Sequence, residues 1–178
     1  MAQNTVELIT EAFDNHNIKY RIVELDNLTF VDAGYSITEG PTVRFHFLSQ
    51  GSEGNDVQVR VNGILNKVSK EKRAHILEAC NRINSEMRYY KFYLDQSGNL
   101  FGQADLPVGT AEERVGENSY ELMVRGMQIL DRCYHYFPEA YYSVPSTEKK
   151  ELLLNTLNAL QNLRDHPMTI SSDEKDEN

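Results

Sequence analysis

The chain has 178 residues, 40% of them hydrophobic and 25% charged, which is ordinary globular usage and enough for one packed domain with an appendage. Its formal charge of -9 argues against nucleic acid, which requires a basic footprint, and disfavours anionic membrane surfaces. No run approaches the roughly 18 apolar residues of a membrane span, and Glu7, Glu11 and Asp14 stand where a signal peptide would be basic and then apolar. The expectation is cytoplasmic residence.

Val6, Ile9 and Phe13, with Ala12 beside them, recur at helical spacing and predict a first helix over residues 4–15, ended by Asn15 and Asn17. From Lys19 the period becomes two. Tyr20, Ile22 and Glu24 alternate with Arg21, Val23 and Leu25 up to a turn at Asp26-Asn27. Thr29, Val31, Ala33 and Tyr35 then alternate with Leu28, Phe30, Asp32 and Gly34 before a Gly40-Pro41 break. In the third strand Val43, Phe45 and Phe47 face a core while Arg44 and His46 look outward; in the fourth, Val57, Val59 and Val61 oppose Gln58, Arg60 and Asn62. Such alternation marks an antiparallel sheet with one wet face.

Ser69 reads as the N-cap of a second helix whose inward stripe is Ile76, Cys80, Ile83 and Met87. Strands over residues 90–95 and 99–106 follow, joined across Gln96-Ser97-Gly98 as a hairpin. A third helix is expected from Glu117 to Tyr136, with Leu122, Ile129 and Cys133 on its core face, Met123, Leu130, Tyr134 and Phe137 widening it, and Pro138 ending it. Tyr141, Tyr142, Val144 and Pro145 read as an aromatic linker. A fourth helix over residues 147–164 carries Leu153, Leu157 and Leu160 and stops at His166-Pro167; the closing SSDEKDEN has too little apolar surface to order itself. The expected division is therefore a domain over residues 1–143, an amphipathic helix over 144–168 and an acidic tail over 169–178. The order α-β-β-β-β-α-β-β-α plus a terminal helix, with strands in runs, is an α+β fold built on a mostly antiparallel sheet, helices packed on one face.

That order, together with Asn81-Arg82-Ile83-Asn84 at a helix end, Lys91-Phe92-Tyr93-Leu94, Gly98-Asn99-Leu100, Leu106-Pro107 and Phe137-Pro138, resembles the YbjN-like family of bacterial proteins from about Val6 to Tyr141. The resemblance implies a fold similar to type III secretion chaperones. It also implies a protein-interaction module, chaperone-like or regulatory and often dimeric, with no established catalytic residues to carry over.

The residues agree in offering no catalytic set. His16, His46, His75, His135 and His166 form no zinc-type pair, and Cys80 and Cys133 lie on apolar helix faces as buried free thiols rather than ligands. Asp95 to Asn99 mimics half a calcium loop but has Leu100 in place of the turn glycine and Leu106 in place of the closing glutamate. Neither a phosphate-binding Gly-Lys-Ser/Thr loop nor a G-x-S-x-G elbow occurs. Asn81 and Asn84 read as side chains that tie the helix end to the next strand, rather than as a peptide clamp. Two candidate protein-binding surfaces stand out: an outer sheet face with Arg44, His46, Arg60, Lys91 and Tyr93, and the leucine stripe Leu153, Leu157 and Leu160; Tyr141 is a further candidate interface aromatic.

The expected function is a non-enzymatic protein-binding module, chaperone-like or regulatory adaptor, working as a homodimer with a protein client or regulator. No cofactor, metal, nucleic acid or membrane is expected. The alternative is a small-ligand protein or enzyme with a pocket between the third helix and the sheet.

Overall fold

The structure, a computed structural model, describes residues 5–25, 28–50, 56–107, 114–143, 151, 154–158 and 161. The chain divides into two compact units, Met1–Val144 and Pro145–Asn178. In the first unit the order is α1 (Thr5–Asn15), β1 (Tyr20–Leu25), β2 (Leu28–Ser36), β3 (Thr42–Gln50), β4 (Asp56–Leu65), α2 (Arg73–Glu86), β5 (Lys91–Leu94), β6 (Leu100–Pro107), α3 (Val115–Cys133) and α4 (Tyr136–Ser143). This is the α+β architecture expected. The six strands form one antiparallel sheet in the order β1-β2-β3-β4-β6-β5.

Register explains why one face buries. Ile22, Val31, Phe47, Val59 and Ala104 fall opposite one another across five strands, and Tyr20, Ala33, Phe45, Val61, Gly102 and Phe92 make the neighbouring row. Val31, Ala33, Phe45, Phe47, Val59 and Val61 are essentially inaccessible. Removing each such phenylalanine or valine from water contributes about 1.5–3 kcal/mol. Onto these rows pack Val6, Ile9, Ala12 and Phe13 of α1 and Leu122, Met123, Leu130 and Cys133 of α3. Gly116 lets the two helices touch, since a Cβ there would lie 2.2 Å from the Leu8 carbonyl oxygen.

Asn17 ends α1 in the left-handed region at φ +56°, and the Ile18 N–H returns to the Phe13 carbonyl, so the asparagine end signal holds. Asp131 on α3 accepts the Tyr35 hydroxyl at 2.5 Å and the Thr38 N–H at 2.8 Å, fastening the β2–β3 turn to the helix. Desolvation, then the bond to Asp131, pushes the Tyr35 hydroxyl up to about 12. Gly98, at φ +84°, sits against Val68, whose N–H donates to the Gly98 carbonyl at 2.8 Å; this docks the β5–β6 hairpin on the segment leading into α2.

Several expectations are corrected. Ser69 does not cap α2; it heads a turn in which the Lys72 N–H bonds the Ser69 carbonyl, and the helix begins one turn later with Lys72 at the cap position. The guanidinium of Arg73 reaches the Gln96 carbonyl at 2.6 Å, so contact with the hairpin fixes where the helix starts. The third helix ends at Cys133, and Pro138 sits in the first turn of α4, where its missing N–H leaves no bond unmade. Tyr141 and Tyr142 therefore lie on a helix rather than in a linker. Ile129 is only partly buried, while Leu122, Met123, Leu130 and Cys133 form the core face as expected. Cys80 and Cys133 are buried free thiols, burial pushing them up to about 11 and about 12.

In the second unit Glu151, residues 154–158 and Gln161 are helical, and Leu154 and Leu157 are 58% and 55% exposed. Leu153, Leu160, the Asp26-Asn27 turn, most of the SQGSEGND loop and the acidic tail lie outside the described residues. Among the described residues no helix is long and apolar enough to cross a membrane.

Candidate functional site

On the wet face of the sheet, one row of side chains crosses all six strands: Arg21, Asp32, His46, Arg60, Gln103 and Lys91. A lone acid in this row is flanked by basic groups. Asp32 is 1% exposed although it lies on the outer face, because the side chains of its neighbours fold over it.

Arg44 forks onto the Asp32 carboxylate, donating from Nε to Oδ1 at 2.8 Å and from Nη2 to Oδ2 at 2.6 Å. Arg21 donates from Nε to Oδ2 at 2.5 Å. Two-pronged arginine–carboxylate pairs are both strong and directional. The fork needs space on β2, and Gly34, directly opposite Arg44, provides it: a Cβ at Gly34 would stand 2.9 Å from Arg44 Nη1. Desolvation pulls the Asp32 carboxyl upward, but the bonds from Arg44 and Arg21 outweigh it and hold the group below the usual carboxylate range.

His46 lies beside this cluster, with Nε2 3.5 Å from Asp32 Oδ1 and its ring against Phe30. The Asn62 amide nitrogen, 3.1 Å from His46 Nδ1, has only protons to give, so Nδ1 accepts and the ring proton sits on Nε2, facing Asp32. Burial depresses the His46 pKa below its ordinary 6.5; Asp32 opposes this, while Arg44, Arg21 and Arg60 reinforce it. A depressed histidine contributes stability that is complete above 6.5 and is lost as pH falls through the folded-state value. The urea midpoint should accordingly drop between pH 7 and pH 5, and His46→Gln should flatten that drop. Equal slopes for the two proteins would remove His46 as its source.

Farther along the row, Arg60 lays its guanidinium 3.9 Å above the Phe101 ring, and Phe101 in turn leans on Tyr93 at 5.6 Å. Arg60 Nε is buried and makes no hydrogen bond among the described residues. Tyr93 is 46% exposed. The face thus pairs a locked cationic cluster with a stacked arginine–aromatic ladder, a combination that offers flat, rigid contact area.

Of the residues singled out from sequence, Arg44, His46, Arg60 and Tyr93 come together on this face. Lys91 begins in the same row, but its ammonium is held by the carbonyls of Asn84 and Met87 at the end of α2, at 2.7 and 2.5 Å. Tyr141 lies elsewhere, on α4, with the Lys72 ammonium 3.7 Å above its ring. Leu157 belongs to the other unit, and Leu153 and Leu160 lie outside the described residues. Asp32, Arg21, Phe101 and Asn62 were not singled out. The signal for them was an acid in mid-strand with an arginine at the matching position of the strand before and another two residues off register in the strand after.

Other places offer less chemistry. A cleft of about 360 Å³ between α2 and α4 is lined by His75, Glu78, Arg82 and Tyr136, among others. Between α3 and the sheet, Gly126 is pressed against Phe45 and Tyr90, and the Tyr90 hydroxyl donates to the Leu122 carbonyl, so core side chains fill the middle of that layer. At its edge a cleft of about 350 Å³ opens between α3 and the end of β6, lined by Tyr89, Asp105, Leu106, Asn118, Glu121 and Arg125. Asn84 ties α2 to β5 as expected, accepting the Phe92 N–H at 2.7 Å and donating to the Phe92 carbonyl at 3.0 Å. Among the described residues no cluster of His, Cys, Asp and Glu is arranged to hold a metal.

The YbjN family model, described as "Putative bacterial sensory transduction regulator", matches residues 5–139. No curated protein matches the chain. A crystal structure of an uncharacterized protein from Methanothermobacter thermautotrophicus is similar over 75% of this chain and 99% of that one, with 11% sequence identity and a TM-score of 0.44.

Proposed function

The chain belongs to the YbjN family, and from that premise we propose that it is a cytoplasmic, non-enzymatic regulatory adaptor, chaperone-like in mode, which binds a protein partner on the outer face of its sheet and works as a homodimer. The observation that carries this reading is the preorganised outer face. Arg21 and Arg44 are held on Asp32, and Arg60 is stacked on Phe101, while the apolar side of the sheet is taken up by α1 and α3. Rigid arginine and tyrosine side chains lose little entropy on binding, which is why they recur as anchors of protein interfaces. The family's description as regulators of sensory transduction is compatible with such a role.

Arg60→Ala combined with Tyr93→Ala should abolish capture of the partner from native cytoplasm while leaving the fold intact by circular dichroism. Undiminished capture would overturn the assignment of this face.

Self-association is supported by the two exposed leucines of the second unit, Leu154 and Leu157. Leu157→Asp should convert a dimer to a monomer in size-exclusion chromatography with light scattering. A monomer both before and after the substitution would remove this helix from the reading.

A further inference from the structure

The two edges of the sheet differ. At one end, the backbone N–H and carbonyl of Phe92 in β5 are both taken by the Asn84 side chain, and α2 lies alongside. At the other end stands β1, which among the described residues pairs only with β2. Its register is continuous over all six residues, Tyr20 to Leu25, without proline or bulge. Ile22 and Leu25 are 52% and 61% exposed, and Leu28 at the start of β2 is 38% exposed. An open, regular edge with apolar side chains is a template for another strand, and natural proteins ordinarily blunt such edges.

We propose that β1 is an acceptor edge for an extended segment of a partner protein in which acidic and apolar residues alternate. The proposal rests on the outer-face reading above and adds what the partner must look like. Alternation sets the neighbours: a strand added beside β1 places one set of side chains along Tyr20, Ile22 and Glu24 on the inner face and the other along Arg21, Val23 and Leu25 on the outer face. The informative pair is therefore the residue beside Ile22 and the one beside Arg21. Beside Ile22 an apolar group fits. Beside Arg21 an acid fits, because only Nε of that guanidinium is engaged with Asp32; its two terminal amino groups make no hydrogen bond among the described residues, and the side chain is 69% exposed. Two arginines, Arg21 and Arg44, face a single buried carboxylate here, a local positive excess within a chain of charge -9. Charges elsewhere on the surface are screened beyond about 8 Å at physiological salt, so the local sign decides.

A second copy of the chain answers this edge less well. With antiparallel pairing about Ile22, Ile22 meets its twin, but Arg21 falls opposite Val23 and Glu24 opposite Tyr20. Both arginine clusters then share one face with no acid between them.

The test uses the full chain and a fluorescent decapeptide alternating glutamate and valine, followed by anisotropy and by amide hydrogen exchange of β1. Companion peptides replace glutamate with lysine, or methylate alternate backbone nitrogens in either register. The glutamate peptide should bind and slow exchange in β1. The lysine peptide should bind at least about tenfold more weakly, Arg21→Gln should cost the glutamate peptide about tenfold, and methylation in the pairing register should abolish binding. The proposal is overturned by absence of binding, by equal affinity for the lysine peptide, or by indifference to methylation in both registers. It is also overturned if β1 is already protected without peptide, by a second copy when protection rises with protein concentration or by the chain itself when it does not. Partner capture that depends on Arg60 and Tyr93 while the glutamate peptide fails to bind, or binds regardless of methylation, would overturn the edge pairing while leaving the outer-face reading in place.

Discussion

Arg44→Ala is expected to destabilise the protein by about 3 kcal/mol at pH 7, the lower end of the range for breaking a buried ion pair, because the Arg44 side chain is itself 39% exposed. The substitution removes two of the three hydrogen bonds from arginine to a carboxylate that is 1% exposed. The loss carries a pH signature. In the native protein the Asp32 pKa lies below the ordinary 3.8, so its stabilisation is present above that value and is lost as pH falls through the folded-state pKa. Without Arg44, desolvation prevails and the folded-state pKa moves upward, so the carboxylate becomes a cost above about 4 that protonation relieves. The difference between the two proteins, followed by urea unfolding, should be complete at pH 7 and should close as pH falls through the folded-state pKa of Asp32. Adding Asp32→Asn to Arg44→Ala should recover most of the stability at pH 7. A pH-independent loss, or no recovery in the double variant, would show that Arg44 acts only through packing.

The second large effect concerns the layer beneath the sheet. Glycine within a helix ordinarily costs about 1 kcal/mol relative to alanine, so Gly116→Ala would stabilise an unconstrained helix. Here the opposite sign is expected. The added methyl would lie 2.2 Å from the Leu8 carbonyl oxygen and 3.0 Å from the Ala12 Cβ, contacts that only a displacement of α1 from α3 can relieve. Overpacking of this kind costs about 3 kcal/mol, or a fall of roughly 10 °C in Tm for a domain of this size. A Tm equal to or above that of the parent would mean that the two helices part freely.

The sheet was legible because its alternation is clean. Val43, Phe45 and Phe47 against Arg44 and His46 leave one choice of face, and the fourth strand repeats the pattern. The extent of the helices was less so, since their ends are set by tertiary contacts: Arg73 reaching the hairpin fixes one start, and Pro138 has one meaning after a helix and another in the first turn of the next. Much of the site was visible by type but not by role. Arg44 and His46 were readable as outward residues, whereas Asp32 looked like an ordinary wet-face acid. Its burial arises from two arginines on flanking strands and from the space left by Gly34, which requires knowledge of register. Lys91 shows the converse, a residue of the right face whose charge is spent on the end of a helix.

The Asn84 clasp on β5 also bears on assembly. Open-ended fibres grow when every subunit offers both a donor and an acceptor edge, so that each addition regenerates the site it used. With one flank of the sheet stoppered, any strand joining at the opposite flank terminates growth, and the complex closes at a fixed, small stoichiometry.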